Sequence, residues 1–141
     1  YCGAMVQFAN GAIGTFETCR AIYGPKCEMS FEVNGTKGSI KWNFERMNEL
    51  ELYLPTGDPA HDGQVRLLGG PAYGDHGRFN PGDGIGMSYE DLKVIEAFHF
   101  LRSIVQAKPE SPNFGDIKRL ARVQQAMIRS WESKSWETVV Y

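Results

Sequence analysis

The chain has 141 residues, a net charge of −2, and 23% charged against 42% hydrophobic residues, which are the proportions of one ordinary globular domain. No run of Lys or Arg forms a stripe that could follow phosphates, so no nucleic-acid partner is expected. No apolar run approaches the roughly 20 residues a membrane-spanning helix needs, so no membrane partner is expected either. The cysteines are Cys2, Cys19 and Cys27, with no C-x-x-C pair. That argues against a disulfide framework and a zinc site; free thiols point to a reducing compartment, and a cytoplasmic location is the expectation.

The N-terminal third alternates with period two. Ala4, Val6 and Phe8 share one face of a first strand, and Met5, Gln7 and Ala9 share the other. Because Tyr1 already stands in a strand pattern, a longer parent chain is expected. Asn10-Gly11 is a hairpin turn signal, and a second strand follows from about Ala12 to Ile22. Tyr23-Gly24-Pro25-Lys26 breaks it. Further strands are expected at about Cys27–Val33, Ser39–Phe44 and Leu50–Leu54, with Asn34 to Gly38 as a glycine-containing turn. Glu45 to Glu49 reads as a charged connector with local salt bridges.

From Pro55 to Gly86 the composition shifts. This stretch gathers most of the chain's glycines and prolines and two of its three histidines, His61 and His76. Gln64 to Leu68 is apolar enough to add a strand. The rest reads as a long loop, and loops of that length inside one domain are often functional. Ser88 with Asp91 is a capping-box-like start to a helix whose stripe is Leu92, Ile95, Phe98, Leu101, Ile104 and Val105, stopped by Lys108-Pro109. Asn113 or Asp116 can cap a second helix with Ile117, Leu120, Ala121, Met127, Ile128 and Trp131 as its stripe, ending at Lys134. Trp136 to Val140 reads as a last strand. The fold expected is α+β: an open, mainly antiparallel β-sheet with two long helices packed on one face. Phe8, Phe16, Phe31 and Trp42 are candidates for an apolar opposite face, to be covered by a partner subunit or another domain.

The chemistry is sparse. A dinucleotide site needs a strand, a glycine turn and a helix N-terminus. Gly82-Asp83-Gly84-Ile85-Gly86 has the wrong spacing and follows a loop, so it reads as a flexible hinge before a helix. His61, His76 and His99 lack metal-ligand spacing, so no metal is expected. Asp75-His76 invites an acid–base reading, but adjacent side chains face apart and a solvated loop is the plainer reading. Arg20, Tyr23 and Lys26 cluster after the second strand, either as donors for polyol hydroxyls or as an ordinary polar strand end.

Four ordered motifs resemble one family. Phe8-Ala9-Asn10-Gly11-Ala12-Ile13-Gly14-Thr15-Phe16-Glu17 is similar to its opening hairpin, and Phe31 to Ile40 to its glycine-threonine-lysine-glycine-serine turn. Phe44 to Tyr53 resembles a segment of its inositol-dehydrogenase-like members, and Ile85 to Asp91 the lead-in to its long helix. The family is the glucose–fructose oxidoreductase, inositol dehydrogenase and rhizopine-catabolism group (Gfo/Idh/MocA), and the resemblance is to its C-terminal domain. It implies an N-terminal Rossmann domain, absent from residues 1–141, that holds NAD or NADP. It implies a small sugar-like or cyclitol substrate and a homo-oligomer formed through the open sheet face. The family's catalytic Lys and its Asp and His have no matching positions here, so this chain alone is expected to bind no cofactor and turn nothing over. Tyr23-Gly24, with Arg20 nearby, resembles a segment near the family's substrate. Tyr73, His76 and Arg78 in the long loop are the second candidate for a substrate wall. The alternative is a non-catalytic binding or assembly module of the same fold.

Overall fold

The computed structural model describes all 141 residues, which divide into two compact units, Tyr1–Ile22 with His99–Tyr141, and Tyr23–Phe98. The architecture is α+β: two open antiparallel ladders and two longer helices.

In the first unit, β1 (Cys2–Gln7) pairs with β2 (Ile13–Thr18), placing Ala4 opposite Phe16 and Val6 opposite Gly14. The turn between them is a three-residue loop. Gly11 donates to the Phe8 carbonyl at 2.9 Å, Phe8 donates to Ala12 at 2.8 Å, and Gly11 takes φ +87°, a conformation that costs glycine nothing. Helix α3 (Phe114–Ser133) starts at a capping box, in which Asn113 accepts from Gly115 N–H at 2.8 Å and Asp116 accepts from Asn113 N–H at 2.8 Å. It ends at Lys134 in the left-handed region, φ 56°. Trp136 to Val140 does not form the expected strand. It has no ladder partner and is held instead by α3, where the Arg129 guanidinium donates to the Thr138 carbonyl at 3.2 Å.

In the second unit, β3 (Ser30–Gly35), β4 (Gly38–Asn43), β5 (Glu49–Tyr53) and β6 (Val65–Leu68) form a meander in sequence order. The strands therefore make two ladders and not one sheet. The reason lies in residues 19–29. The second strand stops at Thr18, four residues before its expected end, and Gly24 takes φ +118° ahead of Pro25. The Glu45 carboxylate then accepts from Lys26 N–H at 2.6 Å and Cys27 N–H at 2.7 Å, withdrawing both donors from any ladder. Those bonds, Cys27's foremost, hold the Glu45 carboxyl below its ordinary pKa. At Gly38 (φ +154°) a Cβ would stand 2.5 Å from the Tyr53 carbonyl oxygen, so this turn position requires glycine.

The long loop is more ordered than expected, since it contains a short helix α1 (His76–Phe79). Helix α2 (Tyr89–Val105) follows, with Asp91 accepting from both Ser88 N–H and Ser88 Oγ. It ends before Lys108-Pro109, at Ala107 with φ 49°.

Little of this is interior. Only Gly70, Asn80 and Ala126 are buried. The accessible surface is 11567 Å², whereas a folded monomer of this mass exposes about 7,300 Å². The α3 stripe stays open, Trp131 at 72%, and so does the β2 face, Phe16 at 52%, with all 141 residues present. The excess is roughly 4,000 Å².

Candidate functional site

The second unit holds a cleft of about 300 Å³. Its floor comes from the sheet and its connector: Met29 before β3, Trp42 in β4, and Phe44, Met47 and Asn48 between β4 and β5. His76, Met87 and Leu92 close it from the loop and helix side. Alternation turns Phe31 and Trp42 to the same side of paired strands, where their rings stack at 5.7 Å. Trp42 also meets Phe44 edge-on at 6.0 Å, and Phe44 meets Tyr89 at 6.5 Å. The Trp42 indole donates to the Met47 carbonyl at 3.0 Å, which satisfies its polar edge within the wall.

His76 is the polar group of this cleft whose hydrogen bonding is incomplete. Its Nδ1 is sealed from solvent and has no partner. A buried lone pair costs less than a buried unpaired N–H, so the ring favours its proton on Nε2. The ring is held against Gly69, where a Cβ would stand 2.5 Å from Cε1. One helical turn on, Asn80 is 4% exposed and its Nδ2 is likewise unpartnered.

The loop also carries Tyr73, half exposed, and Arg78, whose guanidinium lies 5.3 Å from the Phe98 ring centroid and 3.9 Å from Asp75. Of Tyr73, His76 and Arg78, only His76 lines the cleft. Tyr23 and Gly24 sit on the exposed segment before β3, Tyr23 fully exposed. Arg20 belongs to the other unit.

In the sequence Asn48 reads as part of the charged connector and of the Phe44-to-Tyr53 motif, with no site role. The connector does form its salt bridges, Arg46 to Glu49 at 2.5 Å and Arg66 to Glu49 at 3.4 Å. Asn48, however, is half-buried and bonded to Met87 across 39 positions. The signal available was an amide placed between the apolar residues Met47 and Leu50. The three methionines of the wall carried no sequence signal.

The glycine cluster does not fit a dinucleotide. No strand leads into it, and its amides are engaged within the loop. Gly82 donates to Asn80 Oδ1 at 3.3 Å and Gly84 to the Gly69 carbonyl at 3.2 Å. It is a tied turn and not a free hinge. No group of three His, Cys, Asp or Glu stands close enough to hold a metal, and no helix is long and apolar enough to cross a membrane.

His99 is engaged in the first unit. Glu110 accepts from the Arg102 guanidinium and lies 2.5 Å from His99 Nδ1. Arg102 first, then His99, hold the Glu110 carboxyl down at about 2. In the second unit His61 pairs with Asp58 at 2.6 Å in an exposed turn.

Residues 1–79 match the sequence profile of the Gfo/Idh/MocA oxidoreductase family, C-terminal alpha/beta domain. Over 135 residues the chain is 33% identical to levoglucosan dehydrogenase of Pseudarthrobacter phenanthrenivorans, covering 96% of this chain and 35% of that protein. Among solved structures, levoglucosan dehydrogenase in complex with NADH and levoglucosan superimposes with a TM-score of 0.92 at 32% identity, over 99% of this chain and 38% of that one. An NAD binding oxidoreductase from Klebsiella pneumoniae superimposes with a TM-score of 0.88 at 32% identity, over 97% of this chain and 37% of that one. The chain therefore spans little more than a third of the length of the relatives it matches. With its hairpin, its meander and its helices aligned over nearly every residue, the chain belongs to the Gfo/Idh/MocA oxidoreductase family, in the C-terminal alpha/beta domain.

Proposed function

We propose that this chain is the substrate-binding and assembly part of an NAD(P)-dependent oxidoreductase acting on a hydroxyl of a cyclic sugar, cyclitol or related compound. The observation that carries the reading is 32% identity and a TM-score of 0.92, over nearly the whole chain, to a dehydrogenase solved with NADH and levoglucosan. The reaction class removes a hydride and a proton from a carbinol, and a nucleotide-binding domain outside these residues would supply the acceptors. This chain's part is to bind and orient. The apolar wall of Trp42, Phe44 and Met87 packs a sugar's C–H faces, and His76 Nε2 donates to one of its oxygens. Tyr73 and Arg78 stand on the same loop as further donors.

The open face of the β1–β2 ladder, with Phe16 at 52% exposure, is the assembly surface, for a second copy of the chain. It also favours a second reading, a non-catalytic assembly module.

The test joins this chain to its nucleotide-binding half and follows NADH formation with NAD and a panel of levoglucosan, hexoses and cyclitols. Turnover of a cyclic sugar, with its KM raised about tenfold or more by His76→Ala, is the expected result. Absence of turnover on the whole panel favours the module. Tight NAD binding by residues 1–141 alone defeats the division of labour.

A further inference from the structure

We propose that Asn48 is the positioning residue of the sugar pocket, a single residue that clasps both ends of the loop carrying His76. The inference rests on the reading of His76 as a pocket residue. The Asn48 carbonyl accepts from Gly69 N–H at 2.7 Å, where the loop leaves β6. Its side-chain Oδ1 accepts from Met87 N–H at 2.7 Å, and its Nδ2 donates to the Met87 carbonyl at 2.9 Å, where the loop enters α2. Residues 69–87 therefore begin and end on one residue of the sheet connector. Gly84 N–H to the Gly69 carbonyl, at 3.2 Å, draws the two ends together above it.

The chemistry calls for asparagine. A planar amide presents one acceptor and one donor side by side, matching the N–H and C=O of one backbone residue. Aspartate keeps the acceptor and sets an oxygen against the Met87 carbonyl. Glutamine is longer by one methylene. Gly86 provides the clearance, since a Cβ there would stand 2.9 Å from Asn48 Nδ2. Within the loop, His76 Nδ1 and Asn80 Nδ2 make no bonds of their own. The imidazole is thus placed by the loop's anchorage at its base, with no side-chain partner to hold it.

The experiment uses the full-length protein with NAD and levoglucosan, or the panel sugar turned over best. It compares Asn48→Ala, Asn48→Asp, Gly86→Ala, His76→Ala and the double variant Asn48→Ala with His76→Ala. Sugar KM, NAD KM and hydrogen exchange of residues 69–87 are measured. Asn48→Ala is expected to raise sugar KM about tenfold while NAD KM stays within about twofold, to speed exchange across 69–87, and to add little once His76 is gone. Asn48→Asp, which keeps the Met87 N–H acceptor, falls between. Gly86→Ala crowds the same clasp from the loop side and serves if Asn48→Ala fails to fold. Equal KM effects of Asn48→Ala with and without His76 overturn the proposal, as does an unchanged sugar KM in the folded variants. If His76→Ala alone leaves sugar KM unchanged while Asn48→Ala still speeds exchange, the pocket reading fails and takes the proposal with it.

Discussion

Gly69→Ala separates the site from the stability of the fold. A methyl at Gly69 would stand 2.5 Å from His76 Cε1, 3.0 Å from Nδ1 and 3.1 Å from Nε2. Carbon atoms rest about 3.5–4.0 Å apart, so the ring must give way by roughly 1 Å. Gly69 is not among the glycines with positive φ, so alanine fits its backbone. Stiffening the unfolded chain favours the variant by about 0.4–1 kcal/mol, while overpacking costs about 1–3 kcal/mol. The net loss is then roughly 0–2.5 kcal/mol, a loss the fold can absorb. The effect on catalysis is larger in proportion, because displacing a substrate-orienting group by 1 Å costs on the order of a hundredfold. Steady-state kinetics on the full-length protein with levoglucosan and NAD, paired with urea unfolding, read the two effects separately. The expected pattern is a large fall in kcat/KM for the sugar, an NAD KM within about twofold, and a small shift in the unfolding midpoint. Gly63→Ala is the control, since nothing lies within 4 Å of a Cβ there. A Gly69→Ala protein that keeps full sugar kcat/KM refutes the placement of His76 against the substrate.

The remaining predictions concern stability. Glu110 has a folded pKa of about 2 against an ordinary 4.5, so its pairing with Arg102 and His99 stabilises fully above about pH 4.5 and is lost as the pH falls toward 2. Glu110→Gln should flatten the acid side of the urea-midpoint profile, and parallel profiles would count against the pairing. Asn113→Ala removes the capping box of α3 and should cost about 0.5–2 kcal/mol in urea unfolding, with an unchanged midpoint as the contrary result.

The elements were legible where local chemistry decides them. Period-two alternation marked the strands, Asn10-Gly11 the hairpin, and Asn113 with Asp116 the start of α3, because each signal acts over a few residues. The failures arise where distant residues compete. Cys27 read as the start of a strand, but Glu45, some twenty positions on, captures its amide together with that of Lys26. Trp136 to Val140 alternates like a strand, yet a strand needs an edge to pair with, and α3 side chains engage it first. Exposure was the least legible property. The stripes of both helices read as core, and residues such as Leu101 and Trp131 are exposed. A stripe records that a face gets covered, not which surface covers it.

The site was legible only as a stretch of unusual composition. Tyr73, His76 and Arg78 stood out as polar residues in a glycine-rich loop, but the sequence offered no measure of which was enclosed. That is settled by glycines acting as clearances. Gly69 admits the imidazole, Gly70 admits Asp83, whose Oδ1 lies 2.3 Å from where a Cβ would be, and Gly77 leaves room for the Pro71 carbonyl oxygen, 2.5 Å from where its Cβ would be. A composition that reads as flexible therefore builds close contacts, because each missing Cβ is occupied by another part of the loop. Asn48 then supplies from the sheet the anchorage that glycines cannot. The loop's geometry is specified by what it omits and by one amide outside it. That is why local propensity did not single out Asn48, and why substitutions at Gly69, Gly86 and Asn48 should act on the same ring.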